Sequence, residues 1–332
     1  MSIVSIKDNS GKPKYKQIIA SIEEAIVGGT LKKGDKLPSL NSIKIKHKVS
    51  RDTVFTAFNE LKNRGIIQSV AGKGFYVASE DVMVTQKIFL LFDELNSFKE
   101  DLYNSFLANL GDHIQVDIFF HHFNSSIFSK LIYDNIGDYS YFVIMPANLE
   151  NTHQVIDKLP SDKVFILDQT HDDLSNYPAV YQNFEKDMYS GLTDALKFIA
   201  NYQKIILLFD QYKQPEGLSK GFKMFCGENK IEYEIVDSLE SRKPIAGEIY
   251  IIPDDRSLIQ IIKKIKQEGL VLANEIGIIS YNDTLLKEIV EGGITTISTD
   301  FNAMGKRLAE MILNNENLKI ENPNRLIIRR SI

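Results

Sequence analysis

The chain has 332 residues, 43% of them hydrophobic, and carries 39 Lys and Arg against 44 Asp and Glu, a formal net charge of −5. That length accommodates a small domain and a larger one with a substantial core, and the one cysteine, Cys226, excludes an intramolecular disulfide. No apolar run approaches a membrane span and the N-terminus shows no signal-peptide hydrophobic region, so a reducing cytoplasm is the expected compartment, with no membrane partner.

The charge is unevenly spread. Residues 1–79 hold 14 Lys and Arg against 6 Asp and Glu, net +8, which leaves net −13 on the remainder. A basic head suits phosphate contacts and counterion release, while an acidic body repels nucleic acid and confines binding to one face.

Ser50 is placed to cap a helix whose first turn presents Arg51 and Thr53, while Val54, Ala57, Phe58 and Leu61 form an inward stripe at spacings of three and four. Arg64-Gly65 ends that helix, with Gly where a left-handed residue is wanted. Ile66–Val70 and Gly74–Ala78 read as two strands around Ala71-Gly72-Lys73, a hairpin whose glycines permit positive φ and whose tip can bring amides and Lys73 to a phosphate or minor groove. A recognition helix followed by a β-wing is a winged helix-turn-helix.

This segment resembles the GntR family of bacterial transcription factors. Pro13–Ile18, Ala25–Ser39 with its Leu37-Pro38-Ser39, and Val49–Val54 match the family's pattern in order, over about the first 78 residues. The resemblance implies DNA contacts from Ser39, Asn41, Ser50, Arg51, Thr53, Phe55, Gly72, Lys73 and Gly74. Asn41 stands where many members carry Arg, so the preferred base sequence does not carry over. Phe55 stands where some have a further Arg and could meet a thymine methyl or pack.

Residues 79–86 are short, polar and acidic, and read as a linker between a DNA-binding domain at 1–78 and a ligand-sensing domain at 87–332. Near-continuous apolar runs then alternate with helical patterns, among them Lys87–Phe92, Tyr141–Met145, Val164–Asp168, Lys204–Phe209, Glu248–Ile252 and Glu275–Tyr281. Their pattern and number predict two doubly wound parallel α/β lobes. Cys226 falls on a helical apolar stripe and reads as packing, and His121-His122, adjacent on a strand-like run, would point to opposite faces and not share a metal.

Gly277–Asp283, Ile294–Phe301 and Met304–Ile312 look like the C-terminal portion of the LacI/GalR effector domain, a type 1 periplasmic-binding-protein fold. The resemblance implies a first lobe of about 87–190 and 295–305, a second of 191–290 with the C-terminal tail, and a small ligand enclosed at strand C-terminal ends. By position, Glu94, Asn96, Asp168, Asp254, Asp255, Asn282, Asp283 and Thr299 are the effector-binding candidates. Paired carboxylates and amides suit the hydroxyls of a sugar or sugar derivative, although Asp and Asn at such turns are also ordinary helix caps. Leu218 stands where sugar sensors commonly have Arg.

Together these features describe a carbohydrate-responsive transcription repressor that binds double-stranded operator DNA as a homodimer, with no catalysis, cofactor or metal. Two alternatives stay open. GntR heads also occur fused to an aminotransferase-like domain that uses pyridoxal phosphate, although about 245 residues is short for it. A transport-type binding module is the other, opposed by the DNA-binding head.

Overall fold

The computed structural model describes residues 3–7 and 12–332. In the head, α1 (Lys14–Val27), α2 (Leu40–His47) and α3 (Arg51–Asn63) precede a hairpin of β1 (Ile67–Val70) and β2 (Gly74–Val77). Ser39 caps α2 by accepting the Ser42 amide at 3.1 Å, and Ser50 caps α3 by accepting the Thr53 amide at 3.0 Å. The inward stripe of α3 (Val54, Ala57, Phe58, Leu61) meets Ile18 and Ile22 of α1 in one core. The hairpin pairs Ile67 with Val77 and Val70 with Gly74, and its turn holds Gly72 at φ +69° and Gly74 at φ +109°.

The first lobe is built from β3 (Gln86–Phe92), α4 (Ser97–Asn109), β4 (Ile114–Phe120), α5 (Ser125–Asp134), β5 (Tyr141–Ile144), α6 (His153–Ile156), β6 (Val164–Asp168) and β7 (Ala179–Tyr181). The second takes α7 (Phe184–Asp194), α8 (Leu196–Ile199), β8 (Lys204–Leu208), α9 (Glu216–Asn229), β9 (Glu232–Val236), β10 (Glu248–Ile252), α10 (Asp255–Gln267), β11 (Gly277–Tyr281), α11 (Leu285–Ile289) and β12 (Thr295–Thr299). The chain then returns to the first lobe with α12 (Phe301–Leu313) and β13 (Lys319–Glu321), and to the second with β14 (Asn324–Ile327). The sheet orders are β13-β7-β6-β5-β3-β4 and β14-β12-β11-β10-β8-β9. Every pairing in them is parallel except β12 with β14.

Helices on both faces explain the unbroken apolar strands, since β10, β11 and β12 are buried along their whole length. The division between lobes differs from the one expected. Helix α7 packs on α9 with Gly191 against Ile297, so it belongs to the second lobe, as does β12. Helix α12 packs on α4, and β13 pairs with β7, so this part of the chain lies in the first lobe. The lobes are joined at three short crossings, after Tyr181, after Thr299 and after Glu321.

The segment between β2 and β3 has no regular structure but is tied down. Arg64, at the end of α3, donates to the carbonyls of Val84 (Nε, 2.7 Å) and Val82 (Nη2, 2.9 Å) and pairs with Glu23 of α1 at 2.7 Å. The Lys33 amide donates to Glu80 at 2.9 Å, and the Thr85 amide to the His113 carbonyl at 2.7 Å.

Candidate DNA interface and ligand cleft

With its apolar stripe buried, α3 leaves Arg51, Phe55 and Thr56 exposed. Arg51 and Phe55 lie one turn apart on the same outward face. The Ser50 hydroxyl caps the helix and lies 2.8 Å from the Thr53 hydroxyl, so Thr53 is partly engaged with its own cap. Ser39 and Asn41 are exposed at the start of α2, whose last turn carries Lys44, Lys46 and His47. The wing tip exposes Gly72, Lys73 and Gly74, and Lys36 sits 5.9 Å from the centroid of the Tyr76 ring beside it. A helix end rich in donors, flanked by lysines on two elements, is an electrostatic and steric match for a phosphate-lined groove.

The opposite end of α3 meets the first lobe. Lys62 pairs with Asp138 at 2.7 Å, and the Ser140 hydroxyl donates to the Asn63 carbonyl at 3.3 Å. A polar groove of about 840 Å³ opens alongside, between Asn59, Glu60 and Arg64 of the head and Ser140, Lys163 and Asn317 of the lobe.

Between the lobes, the C-terminal strand ends face one another. Across the mouth, Asn148 Nδ2, in the loop after β5, donates to the Gln214 carbonyl (2.6 Å) in the loop after β8, and Gln169 Nε2 orients it by donating to its Oδ1 at 2.8 Å. Three residues here have positive φ: Ala147 at +50°, Asp168 at +71° and Asn282 at +60°. Asp and Asn tolerate that region better than other side chains, but strain at a strand end is more often found at a site than in a scaffold.

Three of the expected residues come together at the hinge: Asp168 from β6, and Asn282 and Thr299 at the ends of β11 and β12. Asp168 accepts from Gln182 Nε2. Burial raises its carboxyl above the usual range, opposed by the Lys99 ammonium, and the Asp93 carboxylate adds to the rise. The Asn282 Oδ1 and Thr299 Oγ1 atoms are buried without a partner.

Of the other expected residues, Asn96, Asp254, Asp255 and Asp283 are already engaged. Asp254 caps α10 by accepting the Ser257 amide at 2.8 Å, and Asn96 caps α4 by accepting the Lys99 amide at 3.2 Å. Asp255 pairs with buried Lys287 at 3.1 Å. That ammonium also ties down the carbonyls of Tyr281 (3.0 Å) and Asn282 (2.7 Å), and burial lowers its pKa. Asp283 gives both oxygens to Arg329 at 2.7 and 2.6 Å, a bidentate pair from a partner 46 residues away. Glu94 is half-buried beside the buried pair Asp93–Lys99.

Residues that the sequence reading passed over complete the hinge. Gln182 follows β7, and its Oε1 is unpartnered. Tyr281, read as part of an apolar strand, buries an unpartnered hydroxyl under the influence of both Asp187 and Asp168, and burial raises its pKa well above the ordinary value. Asp187 on α7 buries an unpartnered Oδ2, and burial, then the Glu321 carboxylate, push it up to about 7. Gln182 could have been found from its place at a strand end; Tyr281 and Asp187 carried no such signal. Among the described residues no group of three or more His, Cys, Asp or Glu could hold a metal. Cys226 is packed in the second lobe's core, where burial pushes its thiol up to about 12.

Residues 14–77 match the bacterial regulatory proteins of the gntR family, and residues 200–332 match a periplasmic binding protein-like domain. The transcriptional repressor YtrA of Bacillus subtilis is 34% identical over 100 residues, which is 30% of this chain and 73% of YtrA. MngR of Escherichia coli, repressor of the mannosyl-D-glycerate transport/metabolism system, is 38% identical over 108 residues, 32% of this chain and 41% of MngR. The periplasmic binding protein/LacI transcriptional regulator of Alkaliphilus metalliredigens, solved with D-xylulofuranose, superposes with a TM-score of 0.60 at 14% identity, covering 74% of this chain and 98% of that one. Such identity speaks for the fold alone, and that fold is the periplasmic-binding-protein one, in place of the aminotransferase alternative.

Proposed function

Because the chain belongs to the GntR family of bacterial regulatory proteins, we propose that it is a transcription repressor whose head reads an operator and whose two lobes sense a carbohydrate. The observation that carries this reading is the outward face of α3, capped by Ser50 and free at Arg51 and Phe55, in a head whose other end is fixed to the first lobe. In this reading Ser39, Asn41, Ser50, Arg51, Thr53, Phe55, Gly72, Lys73 and Gly74 face DNA, with α3 in the major groove and the wing tip on the backbone or minor groove. Residues 1–78 form the reader, 79–86 the connection and 87–332 the sensor.

The carbohydrate assignment draws support from MngR, named for a mannosyl-D-glycerate system, and from the pentulose held by the structure of similar fold. Asp168, Asn282 and Thr299, joined by Gln182, Tyr281 and Asp187, are the proposed contacts. Asp254, Asp255, Asp283 and Asn96 shape the cleft from behind. The protein acts in the cytoplasm without catalysis, and as a homodimer, since one head makes too few contacts to specify a long operator.

Operator binding by Arg51→Ala tests the reading. If Arg51 reads a guanine, the variant loses about 1–3 kcal/mol of affinity for an operator selected from random duplexes. Lys73→Ala weakens binding to all sequences alike and lowers the slope of log affinity against log salt by about one. Unchanged affinity in a folded Arg51→Ala protein removes Arg51 from the interface.

A further inference from the structure

Among the described residues, most of the buried unpartnered atoms at the strand ends can accept a hydrogen bond, with Asn324 Nδ2, opposite Thr299, the one that can only donate. Away from the hinge, after the edge strand β4, His121 is fully buried, and its Nε2 lies 3.0 Å from the Met145 carbonyl. A carbonyl only accepts, so Nε2 carries the hydrogen; burial favours the neutral ring, which leaves the unpartnered Nδ1 as an acceptor. Gln182 is 5% exposed and Asn282 8% exposed. The Gln182 amide nitrogen is spent on Asp168, which leaves its Oε1 as the free atom, and in Asn282 the free atom is again the oxygen. The Tyr281 and Thr299 hydroxyls, 2% and 4% exposed, can accept as well as donate. A buried acceptor without a donor costs on the order of 1–3 kcal/mol, so this arrangement favours a molecule that supplies donors.

Charge points the same way. The buried cations near these strand ends are already committed, Lys99 to Asp93 and Lys287 to Asp255 and two carbonyls, and half-buried Arg329 is held by Asp283. Lys213, on the loop after β8, is exposed, with Asp210 three residues before it. Asp168 and Asp187, by contrast, have no ion-pair partner among the described residues. An anion enclosed here would lose its hydration beside two carboxyl groups and gain no free buried cation in return.

We infer that the cleft takes an uncharged or cationic ligand rich in hydroxyl or amino donors, a neutral sugar, polyol or amino sugar, and rejects phosphorylated and carboxylated sugars. This rests on the sensing role proposed above and narrows its ligand class.

The test is thermal unfolding of the full chain with glucose, mannose, galactose, ribose and trehalose, with glucosamine and galactosamine, and with sugar 6-phosphates and uronates, each at 10 mM. Inorganic phosphate at the same concentration corrects for anions held by the basic head. In parallel, a bacterial metabolite extract is split on an anion-exchange resin and both fractions are assayed. The inference expects a melting-temperature rise from a neutral or amino sugar, or from the unretained fraction, with anionic sugars giving no more than inorganic phosphate does. A larger rise from a phosphate ester or uronate whose parent sugar is silent, or from the retained fraction alone, overturns the inference and leaves the sensing role standing. Silence from every compound and both fractions contradicts the sensing role, and the inference with it.

Discussion

At Asp187 two effects add. Burial and the neighbouring Glu321 carboxylate both favour the protonated form, and the Lys186 charge and the Asn183 contact only partly oppose them, so the carboxyl is held up to about 7. An unfolded aspartate titrates near 3.8, so between these values the folded protein binds the extra proton, and stability falls as pH rises through the window. Asp187→Asn removes that loss. The variant should be more stable than the parent at pH 8, and the gap should shrink by up to about 1.4 kcal/mol per pH unit as pH falls from 7 toward 4. Thermal unfolding of both proteins from pH 4.5 to 8.5 checks this; a gap that does not change with pH would assign Asp187 no such titration.

The same scale shows what a sequence can disclose about a site. Asp and Asn at strand ends are visible, and Asp168 and Asn282 indeed stand at the hinge. Whether a carboxylate is free depends on partners far along the chain, as Asp283 shows with Arg329 and Asp255 with Lys287. Tyr281 was hidden differently. Its neighbours in β11 are apolar, and only the fold brings its hydroxyl toward Asp168 and Asp187.

Among the elements, α4 and α12 make the closest helix crossing of the first lobe at Gly305, where an added Cβ would lie 2.3 Å from the Leu102 carbonyl oxygen and 2.8 Å from the Phe106 nitrogen. Alanine would gain up to about 1 kcal/mol in helix propensity, but backbone cannot yield as a flexible side chain does. Gly305→Ala should therefore destabilise the protein by about 1–3 kcal/mol, read by denaturant unfolding. A stabilised variant would mean that the two helices move apart at little cost. The alternating elements were legible because β-strands and helices differ in period. The lobe each joined was not, because crossings of one or two residues leave no mark in composition.

The loops carry a separate expectation. Asn148 is the bridge from the first lobe to the Gln214 carbonyl, and one such bond contributes about 0.5–1.5 kcal/mol net. Asn148→Ala should weaken the stabilising sugar roughly 2- to 10-fold by calorimetry, with operator affinity in its absence unchanged. Undiminished sugar affinity would show that the bridge does not help to hold the lobes closed.

For the whole molecule, the connection between reader and sensor is more than a tether. Arg64 binds α1 and two carbonyls of the linker while Lys62 and Asn63 touch the first lobe, so a movement of that lobe has a direct route to α3. The acidic spacer was readable from composition. Its attachment was not, since Arg64 looks like an ordinary basic residue in a last helical turn. A ligand can shift DNA binding only by its different affinity for the DNA-competent and incompetent arrangements, a coupling that typically amounts to about 5- to 150-fold. The decisive measurement is a fluorescence-anisotropy titration of the full chain on its selected operator, with and without a saturating amount of the sugar that raises its melting temperature. The two affinities should differ by at least about fivefold, in either direction; equal affinities at saturating sugar would contradict coupling between sensor and reader.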